Sequence, residues 1–292
     1  MFIKNYLPFW ALFFLGLAIP TLSTAQVKGG VKIGLNISSL KGPAEVDPDK
    51  GTVLETTESY TGFHMGPSFS VPFSDRFGLR GELLYSKKGF QYQYEGLSPR
   101  RFTYDNNQGL GATIGQTNLG LSVNFVNLDV PLMAYARLGK VELSGGAYLS
   151  LLFQKVAEGI MQYSWKNLDG TEGQIEQIQV HNYNKDAIGG ADGGETIVTR
   201  VNGRNVTLPR TVGAYYDFIE DKGNLYRTLD YGLLGGASFY ISSTLYIGAR
   251  LQYGLVDLTN NNADMSRYLG FPFNREDKDY NYNIQVSVGF NL

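Results

Sequence analysis

His64 and His181 are the only imidazoles in the chain, and cysteine is absent. A serine or water nucleophile needs such a base beside an orienting acid. His64 lies in the alternating run FHMGPSFSV, on the same side as Gly66 and Ser68, and is expected to pack inside the fold. His181 stands among Asn182, Tyr183 and Asn184 and is expected to be a solvated loop side chain. Glu220 and Asp221 read as exposed loop charge. GGADGGE, Gly189 to Glu195, has the glycine and acid content of a calcium-binding repeat, but such sites need several stacked copies. DNNQGLG from Asp105 and TNNNADM from Thr259 offer oxygen ligands at spacings that turns explain. No residues have zinc-ligand spacing. The expectation is therefore no catalytic residue, no metal, no cofactor and no enzyme activity.

A second set of charges is spaced regularly and points elsewhere. The chain ends NYNIQVSVGFNL, in which Tyr282, Ile284, Val286, Val288, Phe290 and Leu292 alternate with polar residues and glycine. Such alternation is a strand with one apolar and one polar face. About eight segments read this way, roughly 28–38, 60–72, 76–94, 124–138, 140–156, 228–241, 244–256 and 279–292. Their polar faces carry Lys32, His64, Arg80, Glu82, Asp129, Arg137, Glu142, Asp230 and Arg250. If the sheet closes on itself these charges lie inside, where opposite signs must pair because an unpaired buried charge is costly. An open sheet or a sandwich would put the same charges in water.

The connections discriminate between these. FSDR (Phe73 to Arg76), LGK (Leu138 to Lys140) and ISST (Ile241 to Thr244) are tight turns. The intervening links are long: Lys41 to Tyr60, about Tyr94 to Val123, about Ala157 to Arg227, and Asp257 to Lys278. Short turns at one end and long loops at the other are the signature of an outer-membrane barrel. The chain is rich in Gly (36), Tyr (20) and Phe (17), as close-packed strands and turns require. Its mean hydropathy of −0.17 fits a barrel, half of whose strand residues are polar. A net charge of −2 gives no reason to expect a nucleic-acid partner. Tyr85, Tyr231, Phe239, Tyr253, Tyr282 and Phe290 are expected at the membrane interfaces, in aromatic girdles.

The N-terminus has Lys4, an apolar run from Leu7 to about Pro20, and small residues Ser23 and Ala25 before Gln26. This is the pattern of a secretory signal peptide, residues 1–25, with cleavage expected after Ala25. The expected fold is all-β, an antiparallel up-and-down transmembrane β-barrel of about eight strands over 26–292, with 157–227 as a long extracellular loop insertion. Eight strands leave an interior that side chains fill, so a diffusion porin is not expected.

GGVKIGLNISSLKG, FGLRGELLYSKKGF, NLDVPLMAYARLG, LDYGLLGGASFY, LYIGARLQYGLVDLTN and NIQVSVGFNL resemble, in order, the blocks of the PorT-like outer-membrane β-barrel family. ELLYSKKG and the LDVPL block, with Pro131 inside a strand, are the most specific of these. The resemblance implies a small barrel in the outer membrane, and a possible link to a secretion system that exports proteins. The chain departs from the usual barrel ending, an aromatic residue, by closing on Phe290, Asn291 and Leu292. The expected partners are outer-membrane lipid, the barrel-assembly machinery, and a protein or glycan at the extracellular loops. The alternative is a barrel enzyme acting on lipid or peptide at the rim.

Overall fold

A computed structural model describes residues 27–268 and 274–292. The segment read as a signal peptide, 1–25, and its expected cleavage point lie outside the described residues. The strands are β1 (Lys28–Lys41), β2 (Glu55–Pro72), β3 (Phe77–Glu82), β4 (Leu84–Thr103), β5 (Leu110–Leu138), β6 (Val141–Lys166), β7 (Glu172–Asn182), β8 (Thr196–Val201), β9 (Arg204–Pro209), β10 (Thr211–Val212), β11 (Leu229–Tyr240), β12 (Leu245–Gly254) and β13 (Tyr280–Asn291). β3 and β4 are one barrel stave interrupted at Leu83, whose N–H bonds the Pro67 carbonyl instead. Counting them once, β1, β2, β3/β4, β5, β6, β11, β12 and β13 form a closed antiparallel ring of eight. The seam runs from Gly30 opposite Asn291 to Lys41 opposite Tyr280, so no edge is left at the closure.

The tight turns are built by their own chemistry. Ser74 Oγ accepts from the Phe77 N–H at 3.1 Å, and Ser242 Oγ from the Leu245 N–H at 3.0 Å. Gly139 sits at φ +63°, a conformation that costs a side chain strain. Above these turns the outward residues are apolar and open: Val31, Ile33 and Leu35 on β1, Leu132 on β5, Leu143 on β6, Ile247 on β12 and Val286 on β13. Tyr85, Tyr231, Tyr253 and Tyr282 point out of this wall at the long-loop end; Phe239 and Phe290 do so at the turn end. From Tyr282 to Phe290, eight steps of about 3.3 Å tilted by about 40° rise roughly 20 Å, near the height of a bilayer's apolar band.

The strands do not stop at the wall. On β5 the odd positions face inward throughout, but their character inverts. Within the wall they include Asn127, Asp129 and Arg137 beside Pro131, Met133 and Tyr135; above it Leu119, Leu121, Val123 and Phe125 are all apolar. The outward positions invert the other way, from Leu132, Val130 and Leu128 to Asn124, Ser122, Asn118 and Gln116. β6 keeps pace through a bulge, where Asn127 pairs with Leu152 and Val126 with Gln154, leaving Phe153 unpaired. Thus Glu142, Ser144 and Ser150 face inward below the bulge, and Ala157, Met161, Tyr163 and Trp165 above it.

Water on the outside and grease on the inside make a soluble-type core, and this head is folded. Leu54, Phe90, Tyr94, Leu119, Phe125, Tyr183, Tyr215, Tyr226 and Leu258 form one cluster, with Phe125 and Tyr226 edge-to-face at 5.1 Å. Phe102, Tyr163, Trp165 and Ile175 form a second under the β8–β9 hairpin, which contributes Val201, Val206 and Leu208. The stretches 94–123 and 157–227, expected as long connections, carry strands: β4 runs to Thr103, β5 starts at Leu110 and β6 runs to Lys166, while β7 and β8 fall on the alternating runs Ile175, Ile178, Val180 and Thr196, Val198, Val201, whose pattern suggests hairpins beyond the membrane. Phe125→Ala should cost the head about 3–5 kcal/mol. Limited proteolysis should then cut the head of that variant while the wall stays protected.

Candidate functional site

The lumen is the place where the inward charges meet. At the turn end, Arg80 binds Glu142 with both guanidinium nitrogens, at 2.5 and 3.1 Å. Arg137 and the Tyr240 hydroxyl donate to the same carboxylate at 3.0 Å each, and Arg137 lies over the Tyr240 ring at 3.9 Å. One layer higher, Glu82 is shared by Lys32 at 3.0 Å and Arg250 at 2.9 Å. Arg250 also donates to Gln285 Oε1, at 2.8 Å through Nε. Higher still, Lys88 pairs with Asp129 at 2.7 Å, Ser150 donates to Asp129 at 2.6 Å, and Tyr148 and Asn281 donate to Asp230 at 3.0 Å each. Arg137 is partly exposed at the mouth; the other charged groups of these layers are buried.

His64 is fully buried and lies between Asn36 and Ser287, with Nδ1 3.0 Å from Asn36 Oδ1 and Nε2 3.0 Å from Ser287 Oγ. Asn36 Oδ1 also accepts from Gln285 Nε2 at 2.9 Å, so it is the acceptor and Nδ1 carries the proton. Nε2 is then free to accept from the Ser287 hydroxyl. This Ser–His–Asn connectivity matches that of an activated nucleophile. Access does not match: Ser287 is 4 % exposed, and the cavity beside it, shared with Lys32, Arg80 and Arg250, is about 10 Å³. That volume admits about one water and no acyl group.

The alternation of the closing strand put Gln285 and Ser287 on the polar face, but the sequence did not single out Lys88 or Tyr148. Lys88 was legible, because counting by two from Arg80 and Glu82 reaches Ser86 and Lys88. The adjacent Lys87, which lies over Tyr60 at 5.9 Å, obscured it.

Outside the wall, two further groups stand out. His181 is corrected from solvated to buried: it is 6 % exposed on the inner face of β7, with Nε2 2.9 Å from Gln179 Oε1 and Nδ1 3.2 Å from the Tyr183 hydroxyl. Burial, with help from the Arg267 charge, pushes it down to about 4 from 6.5. Its folded-state value is depressed, so the neutral ring's contribution is complete above about pH 6.5 and is lost as pH falls through about 4. The full swing is about 3 kcal/mol. Head stability measured by denaturant or protease from pH 7 to 4 should fall accordingly. His181→Gln should flatten that slope; an unchanged slope would assign it elsewhere.

Asp264, Asp277 and Asp279 bring carboxylate oxygens within 4.8 Å of one another and could offer a hard cation oxygen ligands. Arg275 lies among them, bonded to Asp277, 4.0 Å from Asp264, and 2.7 Å from Glu55. Burial pushes Asp264 up to about 7 and Asp279 up to about 6. The Arg275 guanidinium thus supplies positive charge that a cation would bring.

No curated protein matches the chain. Solved structures that resemble it include Ail, the attachment invasion locus protein of Yersinia pestis, in complex with the heparin analogue sucrose octasulfate. It is 11% identical, with 91% of this chain and 99% of Ail covered at a TM-score of 0.35. Neisserial surface protein A (NspA) is 11% identical, with 91% and 99% covered and a TM-score of 0.32. The outer membrane protease OmpT of Escherichia coli is 7% identical, with 94% and 99% covered and a TM-score of 0.29. Overlaps this loose bear on neither ligand nor activity. The sequence itself matches a family model from residue 24 to residue 260, which takes in seven of the eight staves of the ring. With apolar side chains outside that ring and ion pairs within it, the chain belongs to the outer membrane protein beta-barrel domain family and resides in the outer membrane.

Proposed function

We propose that this chain is a closed, non-enzymatic barrel of PorT-like kind that acts through the folded head on the outside of the cell. Short turns face the periplasm and long connections face outward in such barrels, which puts the head outside. The carrying observation is that three hairpin tips are stitched together at the head's far end. Asp105 accepts from the Thr207 N–H at 2.9 Å and its hydroxyl at 3.0 Å, joining the β4–β5 tip to β9. Arg204 donates to the Gln108 carbonyl at 3.0 Å and lies over Tyr104 at 5.0 Å. Asn202 N–H donates to Asn167 Oδ1 at 2.9 Å, while Asn202 Oδ1 accepts from the Leu168 N–H at 3.0 Å, joining the β8–β9 and β6–β7 tips. A passive loop needs no such bracing, whereas a surface that presents Leu110, Leu168 and Val198 to a protein or glycan does. The filled lumen argues against solute passage.

Photo-cross-linkers placed in living cells test this reading. Positions 168 and 198 on the head should capture a stoichiometric envelope or surface partner, and position 75 in a periplasmic turn should not. Capture only at position 75 would place the working face at the export machinery beneath. The Ser287–His64–Asn36 chain favours one competing reading, catalysis. A fluorophosphonate probe should leave Ser287 unmodified in the folded barrel, and labelling that His64→Gln abolishes would restore the enzyme reading.

A further inference from the structure

Between the Glu82 ion-pair layer and the aromatic core of the head lies a lumen layer whose hydrogen bonding is incomplete. Lys88 Nζ, Asn127 Oδ1, Asp129 Oδ2, Asp230 Oδ1, Gln252 Nε2 and Asn283 Oδ1 are buried and have no hydrogen-bond partner within the protein. None of these six side chains belongs to a residue more than 2 % exposed. Lys88 Nζ and Asp129 Oδ2 are a close ion pair at 2.7 Å, but off the hydrogen-bonding direction. Both atoms therefore keep unused hydrogen-bonding capacity.

These atoms fall in two groups linked along β13, where Asn281 donates to Asp230 and Asn283 follows two residues on. Asn283 Nδ2 donates to Gln252 Oε1 at 3.0 Å, next to each other on β13 and β12. Asp230 stands opposite Ser150, which donates to Asp129; Lys88 lies over the ring of Tyr148, the other donor to Asp230. Asn127 stands opposite Ser86, one step below Lys88 on β4. Gly232 and Gly254, paired directly, put no side chain into this level.

Leaving one buried polar atom unsatisfied costs on the order of 1–3 kcal/mol, so Asn127 Oδ1, Asp230 Oδ1, Gln252 Nε2 and Asn283 Oδ1, with the spare capacity of the Lys88–Asp129 pair beside them, call for a ligand. Its chemistry follows from the set, which mixes two nitrogen donors with four oxygen acceptors. A cation would satisfy the oxygens but face the Lys88 ammonium and leave Gln252 Nε2 unused. An anion would face Asp129 and Asp230. Water donates and accepts, and commonly fills polar interior sites with several partners.

We propose that this layer is a hydration site: a resident cluster of ordered waters that joins Lys88, Asp129 and Asp230 to Asn127, Gln252 and Asn283. Phe90, Phe125, Leu152 and Tyr226 close it toward the head, and Glu82 with Lys32 and Arg250 closes it toward the periplasm. Its waters are held within the barrel and do not pass through it.

The test is magnetisation transfer from water to side-chain amides in the full chain, folded in lipid nanodiscs. Cross-peaks are expected at the Gln252 and Asn283 amides. None is expected at Asn36, whose Nδ2 already meets Phe63 O, Ser86 Oγ and Lys87 O at 2.9 Å each. Tyr148→Phe should keep the cross-peaks; their disappearance would mean that the Tyr148 hydroxyl relayed them and would overturn the proposal. Absence of water cross-peaks at both amides would overturn it too. So would an anomalous peak within the layer in crystals soaked with thallium(I), which would make the ligand a monovalent cation.

Discussion

Glu82→Ala is expected to destabilise the barrel by about 3–5 kcal/mol, because it strands two buried cations at once. Lys32 and Arg250 both take their charge partner from Glu82, at 3.0 and 2.9 Å. Arg250 would keep Gln285, a neutral acceptor, and Lys32 would keep no carboxylate that it now touches. Glu82→Gln preserves shape but not charge and should fall short of wild type by a similar sign and smaller size. The decisive companion is the triple change Glu82→Leu, Lys32→Met, Arg250→Met. Replacing a whole buried ion cluster with apolar groups is often neutral or stabilising, so the triple variant should recover most of the loss. The readout is the temperature at which the compact, detergent-resistant band converts to the unfolded one on a gel. Equal losses in the single and triple variants would mean that the side chains matter for packing rather than for charge.

The second large effect depends on depth. Leu132 is 61 % exposed on the outer face of β5, with Leu138 near the turn and Leu128 toward the head. Leu132→Arg should cost about 2–4 kcal/mol, the cost of a cation at the bilayer midplane, while Leu138→Arg should cost about 0–1 kcal/mol because its side chain reaches the interface. In water the two substitutions on an exposed strand face would be equally mild. A cost graded by depth in lipid is therefore specific to a membrane wall.

The wall was readable from sequence because its outward positions are apolar and its inward ones mostly polar or glycine, with Leu84 and the cluster of Met133, Tyr148 and Leu234 as inward exceptions. Ile33 and Lys32, Val286 and Gln285, and Leu132 and Met133 differ in detail, but the step of two never slips below the head. The turns were readable because three short polar connections cannot be anything else at such spacing. The head was legible only in part, through the alternation at Ile175, Ile178, Val180 and at Thr196, Val198, Val201; the continuation of β4, β5 and β6 was not, and the reason is physical. Above Phe125 the solvent outside changes from lipid to water, so the same parity carries the opposite chemistry. Gln116, Asn118, Gly120 and Ser122 look like loop sequence to a reader expecting grease on that side. The bulge at Phe153 adds a parity slip on β6 at the same level, which breaks the pattern where it would have been most useful.

Partners inside the lumen were only half legible. Alternation places Arg80, Glu82, Glu142 and Arg250 on inward faces, but not which of them meet. Glu142 meets Arg137 locally, across a hairpin five residues apart, whereas Glu82 meets Arg250 across 168 residues of chain. Strand stagger around the ring decides such pairs, and it is a property of closure that no single strand contains. The same limit applies to Asn36, His64 and Ser287, which come from β1, β2 and β13.

The central claim is that this wall faces lipid around a lumen closed by paired charges. It is tested most directly by current through planar lipid bilayers containing the purified barrel, folded and shown to shift on heating. The account predicts no stepwise conductance above the bare membrane, in the intact chain at neutral pH. Steady ohmic steps from that folded protein would contradict it.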